Sequence, residues 1–188
     1  MKKWKIFLSV CVLSLSGTAY AAMDWGFELG ARQQGGSVAG PSNVANSQTG
    51  WQGGAFVHLP LEGGVAHFRT GLLYTTRPLQ SENTGTGVKI DYHLDYVEVP
   101  LDILFKPNEA LGFYLGFNIA MNVAKSCSGD SCKVNGVDTP IFPFLLGVTY
   151  KFTPKWGVDF YVDGANTNIA NGLYDYHAVG LNLTFSMD

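Results

Sequence analysis

Few residues in this 188-residue chain have the types and spacing that chemistry requires. The best candidate for catalysis is His93, which lies between Asp91 and Asp95, because a hydrolytic nucleophile needs a histidine base that an acid orients. No His-x-Ser or Gly-x-Ser-x-Gly sequence accompanies these residues, and a histidine near an aspartate on one strand is usually an ordinary surface group. The sequence therefore predicts no catalytic residue, and an enzyme that modifies lipid or peptide remains the alternative interpretation.

A pair of cysteines is the second candidate for chemistry. Cys127 and Cys132 flank a short polar segment in which Gly129 is available for a tight turn. Two cysteines in an exported chain usually form a disulfide. A metal site would need further thiols or nearby histidines, which this segment lacks, and the spacing is not the Cys-x-x-Cys of redox proteins. We therefore predict a disulfide between Cys127 and Cys132, no metal site and no cofactor.

The N-terminus predicts that the chain is exported. Three lysines precede an apolar run over residues 6–15, and Ala19 and Ala21 supply the small residues that signal peptidase requires. The apolar run is shorter than the roughly 20 residues of a membrane-spanning helix. We predict a signal peptide over residues 1–21, with cleavage after Ala21, and a single mature domain over residues 22–188.

The charge of the mature chain limits its partners. The predicted signal holds three of the 12 basic side chains, so nine remain against 15 acidic ones, a net charge of −6. This balance argues against a nucleic-acid partner. No later stretch resembles a membrane-spanning helix, and only helices and closed barrels satisfy every backbone hydrogen bond in lipid. A membrane form of this chain must therefore be a closed β-barrel.

The elements that would carry these residues show a period of two. From Phe113 to Val123, apolar side chains occupy every second position, while tyrosine, glycine, asparagine and alanine occupy the others, which is the pattern of a β-strand. The apolar face of each such segment contains no Lys, Arg, Asp or Glu, as expected for a barrel whose exterior contacts lipid. A β-sandwich also alternates, but its outward faces would carry more charge.

Eight such segments follow one another, separated by connections that alternate between long and short. The long connections are residues 34–50, 77–91, 125–138 and 166–173, and the short ones are residues 60–63, 107–111 and 153–155. Tight periplasmic turns and longer outer loops produce this alternation. The fold class predicted is all-β, an eight-stranded antiparallel up-and-down transmembrane β-barrel. The predicted strands are residues 24–33, 51–59, 64–76, 92–106, 112–124, 139–152, 156–165 and 174–186.

The charged side chains collect on the other face of these segments, which would face the lumen. The lumen of an eight-stranded barrel is just wide enough for side chains to fill it, and buried ions cost several kcal/mol each unless they are paired. We therefore predict a lumen charge network in which Arg32 and Arg69 each lie beside carboxylates, and a narrow passive pore remains an alternative. The predicted network is Glu28, Arg32, His67, Arg69, Glu98, Asp102, Asp159 and Asp163, with Lys151 on the same face.

Two prolines fall inside predicted strands. Every strand of a closed barrel is paired on both sides, and proline has no N–H to donate. We therefore expect a β-bulge or a missing ladder bond at Pro100 and at Pro143.

The segment from Tyr96 to Lys106, with the sequence YVEVPLDILFK, resembles the Tyr-Leu-Glu-Ile-Pro-Leu-Leu-Leu-Lys strand of the PorT-like outer-membrane β-barrel family. The next segment, Gly112-Phe113-Tyr114-Leu115-Gly116, resembles the aromatic and glycine-rich strand that follows in that family. The resemblance covers about 25 residues. It implies a small outer-membrane barrel, comparable to OmpA/OmpX-like barrels, without catalytic residues.

These observations predict a location and a role. We expect the mature protein in the outer membrane of a Gram-negative bacterium, inserted by the barrel assembly machinery and surrounded by outer-membrane lipid. We expect a structural or surface-interaction role without catalysis, with an extracellular partner contacted through the four long loops. Those loops are rich in serine, threonine, asparagine and glycine, which indicates solvated tips.

Overall fold

The computed structural model of the protein describes residues 23–129, 132–134, 136–165, 169–170 and 172–187. Eight antiparallel strands follow in chain order and form a closed barrel, with β8 paired to β1. The predicted fold class is confirmed. The predicted signal peptide lies outside the described residues and stays a prediction. The strands are β1 Asp24–Val38, β2 Asn43–Pro60, β3 Ala66–Asn83, β4 Lys89–Phe105, β5 Leu111–Ser128, β6 Phe144–Lys151, β7 Trp156–Ala165 and β8 Leu173–Ser186.

The alternation of side chains places the apolar face outward. Leu29 and Leu181 are 64% and 56% exposed, whereas the neighbouring Glu28 and Asn182 are buried in the lumen. An arrangement with its apolar residues outside and its ions inside is stable only when lipid surrounds the barrel. In the described part of the chain, no helix is long and apolar enough to cross a membrane.

Aromatic residues mark both edges of the apolar band. Trp156 packs against Phe185 at the end that holds the chain termini, with ring centroids 4.8 Å apart, and Trp51 stacks on Tyr74 towards the opposite end at 5.3 Å. Amphipathic aromatic rings favour the level of the lipid headgroups. In such barrels the end with both termini faces the periplasm, and the longer extensions are extracellular. Here β1–β5 extend past Trp51 and Tyr74 at the end opposite the termini, so that end is extracellular.

Two of the predicted long loops are wrong, because β1–β4 continue through most of them. β1 and β2 are joined by residues 39–42 alone, and β3 and β4 by residues 84–88. β3 has 18 residues, whereas a tilted strand crosses the bilayer with about 9–11. The additional pairs are rich in serine, asparagine and glutamine on both faces, so they show no apolar alternation that a sequence pattern could detect. The parts of β1–β5 that extend beyond Trp51 and Tyr74 are called the outer sheet below.

The sixth strand is shorter than predicted. β6 begins at Phe144, not at residue 139, and β5 pairs with it only from Leu111 to Phe117. Two prolines, Pro140 and Pro143, precede β6 and cannot donate to a ladder. Beyond Phe117, residues 139–143 run beside β5 and accept its hydrogen bonds: the N–H groups of Asn118, Ala120 and Asn122 donate to the Pro143 carbonyl, the Ile141 carbonyl and the Thr139 hydroxyl. Among the described residues, the edge of β5 is open only beyond Asn122.

At Pro100 the ladder is interrupted without a bulge. Val99 and Pro100 have no partner on β3, although the pairs on either side keep the same register. Pro143 immediately precedes β6, and the carbonyl of Pro143 accepts a hydrogen bond from the N–H of Asn118 at 2.9 Å. Both prolines thus cost ladder bonds, as expected, and the register shifts of the barrel lie elsewhere.

The orientation of the barrel can be tested by cysteine labelling. Gly85→Cys, in the β3–β4 turn, is expected to react with a membrane-impermeant maleimide on intact cells, whereas Glu62→Cys, in the β2–β3 turn, should react only after the outer membrane is permeabilised. Both sites are exposed turn residues whose side chains hold no hydrogen bond among the described contacts. Labelling of Glu62→Cys with protection of Gly85→Cys would show that the barrel is inverted.

Candidate functional site

Arg69 is the centre of the first group of buried ions in the lumen, called the lower tier. Its guanidinium donates to Glu28 and Asp102 at 2.9 Å each and to Asp159 at 3.3 Å. These four side chains come from β3, β1, β4 and β7, so the ion pairs cross the lumen. Arg69 is 3% exposed and its guanidinium carbon lies 4.4 Å from the ring centroid of Tyr114. One cation thus serves three carboxylates.

Two further arginines form an upper tier on the extracellular side of the first. Arg32 and Arg77 both donate to Asp163 at 2.9 Å. Arg77 also donates to Glu98 at 2.8 Å, and Asn118 donates to the other oxygen of Glu98 at 2.7 Å. Two cations here face two carboxylates, and such charge-assisted, partly bidentate bonds are the strong ones in proteins.

The structure brings together seven of the eight residues predicted for the lumen network. The exception is His67, which lies half-buried at the periplasmic end and contacts neither tier in the described hydrogen bonds. The sequence analysis missed Arg77 because it placed this residue in a loop. Its position was nevertheless detectable, since Arg69 and Arg77 are eight residues apart and a period of two puts them on the same face of β3.

Tyrosines on the lumen side fill the space between the ion pairs. Tyr114 and Tyr161 are each 1% exposed, and a Cβ atom on Gly147 or Gly180 would overlap their rings. These two glycines therefore make room for the tyrosines, a close approach that no other residue type allows. The Tyr161 hydroxyl donates to Gln52 at 2.7 Å, so that its polar end is satisfied inside the barrel.

An apolar cluster, called the outer plug, fills the extracellular end of the lumen. Three of its members come from outer connections: Ile141 precedes β6, and Ile169 and Ala170 precede β8, at 3%, 0% and 3% exposure. The N–H of Asp138 donates to the carbonyl of Ile169 at 2.8 Å and joins these connections. The lumen is therefore closed above the ion pairs. The outer plug consists of Leu79, Leu94, Tyr96, Ala120, Ile141, Ala165, Ile169, Ala170, Leu173 and Tyr176.

The predicted disulfide between Cys127 and Cys132 is confirmed, with its Cα atoms 6.1 Å apart. It ties the end of β5 to the connection that leads to Ile141. The open edge of the outer sheet is thus covalently held next to the outer plug.

The periplasmic end carries a third group of charges, called the periplasmic mouth. A single oxygen of Asp24, Oδ2, accepts from Lys151 at 2.8 Å and from Lys106 at 3.1 Å. His58 Nδ1 lies 3.1 Å from the same oxygen. Only Lys151 of this group was predicted to face the lumen. Asp24 and Lys106 were equally detectable, since they have the parity of Glu28 and Asp102 in the same segments.

The catalytic candidates do not assemble. Among the described contacts, His93 has no hydrogen bond with Asp91 or Asp95, and Asp91 instead accepts from Gln80 at 2.7 Å. Nor do the described residues contain a group of three or more His, Cys, Asp or Glu side chains that could hold a metal ion. What the arrangement can do is close the lumen and present an outer sheet.

An apolar outward face, buried ions and a closed antiparallel ring together define a transmembrane β-barrel of the Gram-negative outer membrane. The chain belongs to the family described as outer membrane protein beta-barrel domain, which it matches over residues 18–171.

Two solved structures share the fold. One is Ail, the attachment invasion locus protein of Yersinia pestis, in complex with the heparin analogue sucrose octasulfate: identity is 12%, the TM-score is 0.52, and the match covers 88% of this chain and 99% of Ail. The other is neisserial surface protein A, with 14% identity, a TM-score of 0.52 and coverage of 87% and 98%. At these identities the likeness establishes the fold alone. A comparison with curated protein sequences gives no match.

Proposed function

We propose that this protein is a non-catalytic outer-membrane platform whose outer sheet contacts an extracellular partner. The proposal rests on a contrast between the lumen and the extracellular side. The lumen is filled by two tiers of buried ion pairs and the outer plug, whereas β1–β5 extend well beyond the lipid band. A barrel filled in this way offers no water path. Its extracellular surface is then the part that remains free to interact.

The end of β5 beyond Asn122 is an accessible part of the outer sheet. Val123 is 54% exposed, and Ala124, Lys125 and Ser126 are also exposed. An open edge presents backbone N–H and C=O groups to an extended chain. This chemistry favours a protein partner, which the edge would bind by main-chain hydrogen bonds.

Charge argues against a sulfated polymer, the class of ligand that the heparin analogue in the Ail crystals represents. Outside the lumen, the described part of the outer sheet and its connections carries more acidic than basic groups. A net negative surface repels polyanions at physiological salt within about 8 Å. The acidic residues are Glu82, Asp91, Asp95, Asp138 and Asp175, and the basic ones are Lys89, Lys125 and Lys133.

The proposal is tested with a variant whose outer sheet is shorter. The N–H of Asn83 donates to the carbonyl of Val88, so Ser81 and Ile90 form the next hydrogen-bonded pair of the β3–β4 ladder. Residues 82–89 can therefore be replaced by an Asn-Gly turn without a change of register. Cells that display the natural barrel are expected to adhere to immobilised extracellular-matrix proteins, and the shortened variant should lose most of that adhesion. Neither should be retained on heparin at physiological salt, and neither should conduct in planar bilayers.

Three outcomes would contradict the proposal. Stepwise conductance of the natural protein in planar bilayers would favour the narrow pore, and undiminished adhesion of the shortened variant would remove the outer sheet from the interaction. Hydrolysis of lipid or peptide by the purified barrel would favour the enzyme. Folding of each variant is checked by heat-modifiable migration on gels, because folded barrels resist SDS until they are boiled.

We also infer that the barrel assembly machinery inserts the chain and that the finer PorT-like relationship holds. The inference for assembly rests on β8, whose outward residues Val179, Leu181 and Leu183 are exposed and apolar and whose pairing with β1 closes the ring.

A further inference from the structure

The periplasmic mouth has more hydrogen-bond donors than the protein uses. Lys106 and Lys151 each make one hydrogen bond among the described contacts, both to Oδ2 of Asp24. An ammonium group has three donors, so the pair has four that no described residue accepts. Their side chains are 17% and 20% exposed, so these donors are accessible from the periplasm.

The geometry brings the two ammonium groups close together. Both nitrogens lie within 3.1 Å of one oxygen, so they are at most about 6 Å apart, which is a separation that the oxygens of one phosphate or carboxylate can bridge. Asp24 balances only one of the two positive charges, and its other oxygen, Oδ1, is buried without a partner. Neither lysine contacts a lower-tier carboxylate in the described ion pairs.

The mouth is also concave. A cavity of about 660 Å³ opens there, lined by Asp24, Lys106 and Lys151 together with His67, Asn108, Glu109 and Thr153. The Glu109 carboxylate is exposed and forms no ion pair with either lysine in the described contacts. At the inner end of the mouth, His58 is the cross-strand neighbour of Arg69. The lower tier begins at Arg69 and closes the lumen there. A ligand would therefore enter from the periplasmic side and stop at the lysines.

We propose that the periplasmic mouth binds an oxyanion, a phosphate or carboxylate group presented from the periplasmic side, between Lys106 and Lys151. Asp24 holds the two lysines at the right separation when the site is empty, and the anion takes the donors that Asp24 leaves free. The site is independent of the outer sheet, so the barrel would contact a ligand on each side of the membrane.

Inorganic phosphate is the probe for this site, titrated into the purified barrel in uncharged maltoside detergent and followed by calorimetry. We expect saturable binding that equal ionic strength of sodium chloride does not reproduce. Lys106→Gln and Lys151→Gln should each weaken it by about tenfold, since each removes a charge-assisted hydrogen bond. Lys155→Gln is the matched control, because Lys155 is an exposed lysine of the β6–β7 turn outside the cavity lining.

Asp24→Asn separates an anion site from a purely structural ion pair. Asp24 competes with the anion for the two lysines, so its neutralisation is expected to tighten phosphate binding by about fivefold or more. If the lysines only fasten the strand ends, Asp24→Asn would leave phosphate binding absent. No saturable binding by the natural protein, or the same affinity in Lys106→Gln and Lys151→Gln, would overturn the proposal.

A second experiment distinguishes a lipid headgroup from a soluble ligand as the source of the oxyanion. The titration is repeated in nanodiscs of phosphatidylglycerol and of phosphatidylcholine. Weaker phosphate binding in the anionic discs alone would show that an anionic lipid headgroup occupies the mouth, whereas equal binding in both would assign the site to a soluble ligand. Should a lysine variant fail to fold on the heat-modifiability gel, the Asp24→Asn result decides the question.

Discussion

Replacement of Arg69 by Met is expected to lower the free energy of unfolding by about 3–5 kcal/mol, since it leaves buried carboxylates without their cation. Arg69 is the only cation that contacts Glu28, Asp102 and Asp159 in the described ion pairs. The measurement is reversible urea unfolding in lipid vesicles, followed by tryptophan fluorescence and by the heat-modifiable band.

A double-mutant cycle identifies the cause of that loss. Asp102→Asn in the Arg69→Met background should restore part of the stability, because it removes one of the stranded charges. Arg69→Met combined with Asp163→Asn, in the upper tier, is the control pair and should show a smaller coupling. If the effects of Arg69→Met and Asp102→Asn simply add, water hydrates these ions, and the lumen would then be expected to conduct.

Replacement of Leu29 by Arg is expected to cost about 2–4 kcal/mol, the range for a basic side chain at the middle of the bilayer on the lipid face of a barrel. Leu29 is the most exposed of the large apolar residues, at 64%, and lies between Trp25 and Trp51, the aromatic residues at the two edges of the band. Unfolding in vesicles, measured as for Arg69→Met, gives the value.

Leu61→Arg provides the matched control. Leu61 is also an exposed leucine, at 42%, but it belongs to the β2–β3 turn outside the lipid band, so the same substitution should change stability by less than about 0.5 kcal/mol. Equal and small effects at both positions would mean that lipid does not surround Leu29, and the outward assignment of the apolar face would fail.

The residues show why the membrane part of the fold was predictable and the outer part was not. Between the aromatic edges of the band, at Trp25 and Trp51, the lipid requires an apolar side chain at every outward position, which is every second residue, so each strand shows the constraint separately. Above the bilayer, water replaces lipid on the outward face of the outer sheet, so this face no longer has to be apolar and the constraint disappears. The continuation of β1 to Val38 and the early start of β2 at Asn43 depend on cross-strand pairing, which no single segment records.

Individual ion pairs also could not be predicted from the sequence. The alternation predicted that Glu98 faces the lumen, but its partner is Arg77, because strand tilt and stagger decide which inward residues reach the same level. The same reason applies to Asp24 and the two lysines of the periplasmic mouth, which come from three strand ends far apart in the chain. Whether a side chain points inward or outward depends on its own strand, whereas its partner across the lumen depends on the closed ring.

The outer plug limits which extracellular residues of this protein can vary under selection by antibodies and phages. Ile141 and Ile169 lie in surface connections yet are as buried as a core residue, so mutations there would be removed by selection for folding. The turns of residues 39–42 and 84–88 are almost wholly exposed and can diverge freely. Among the described residues, change on the extracellular side is therefore expected at exposed positions such as these two turns, Lys133 and Asp138, and not at the buried residues of the outer plug.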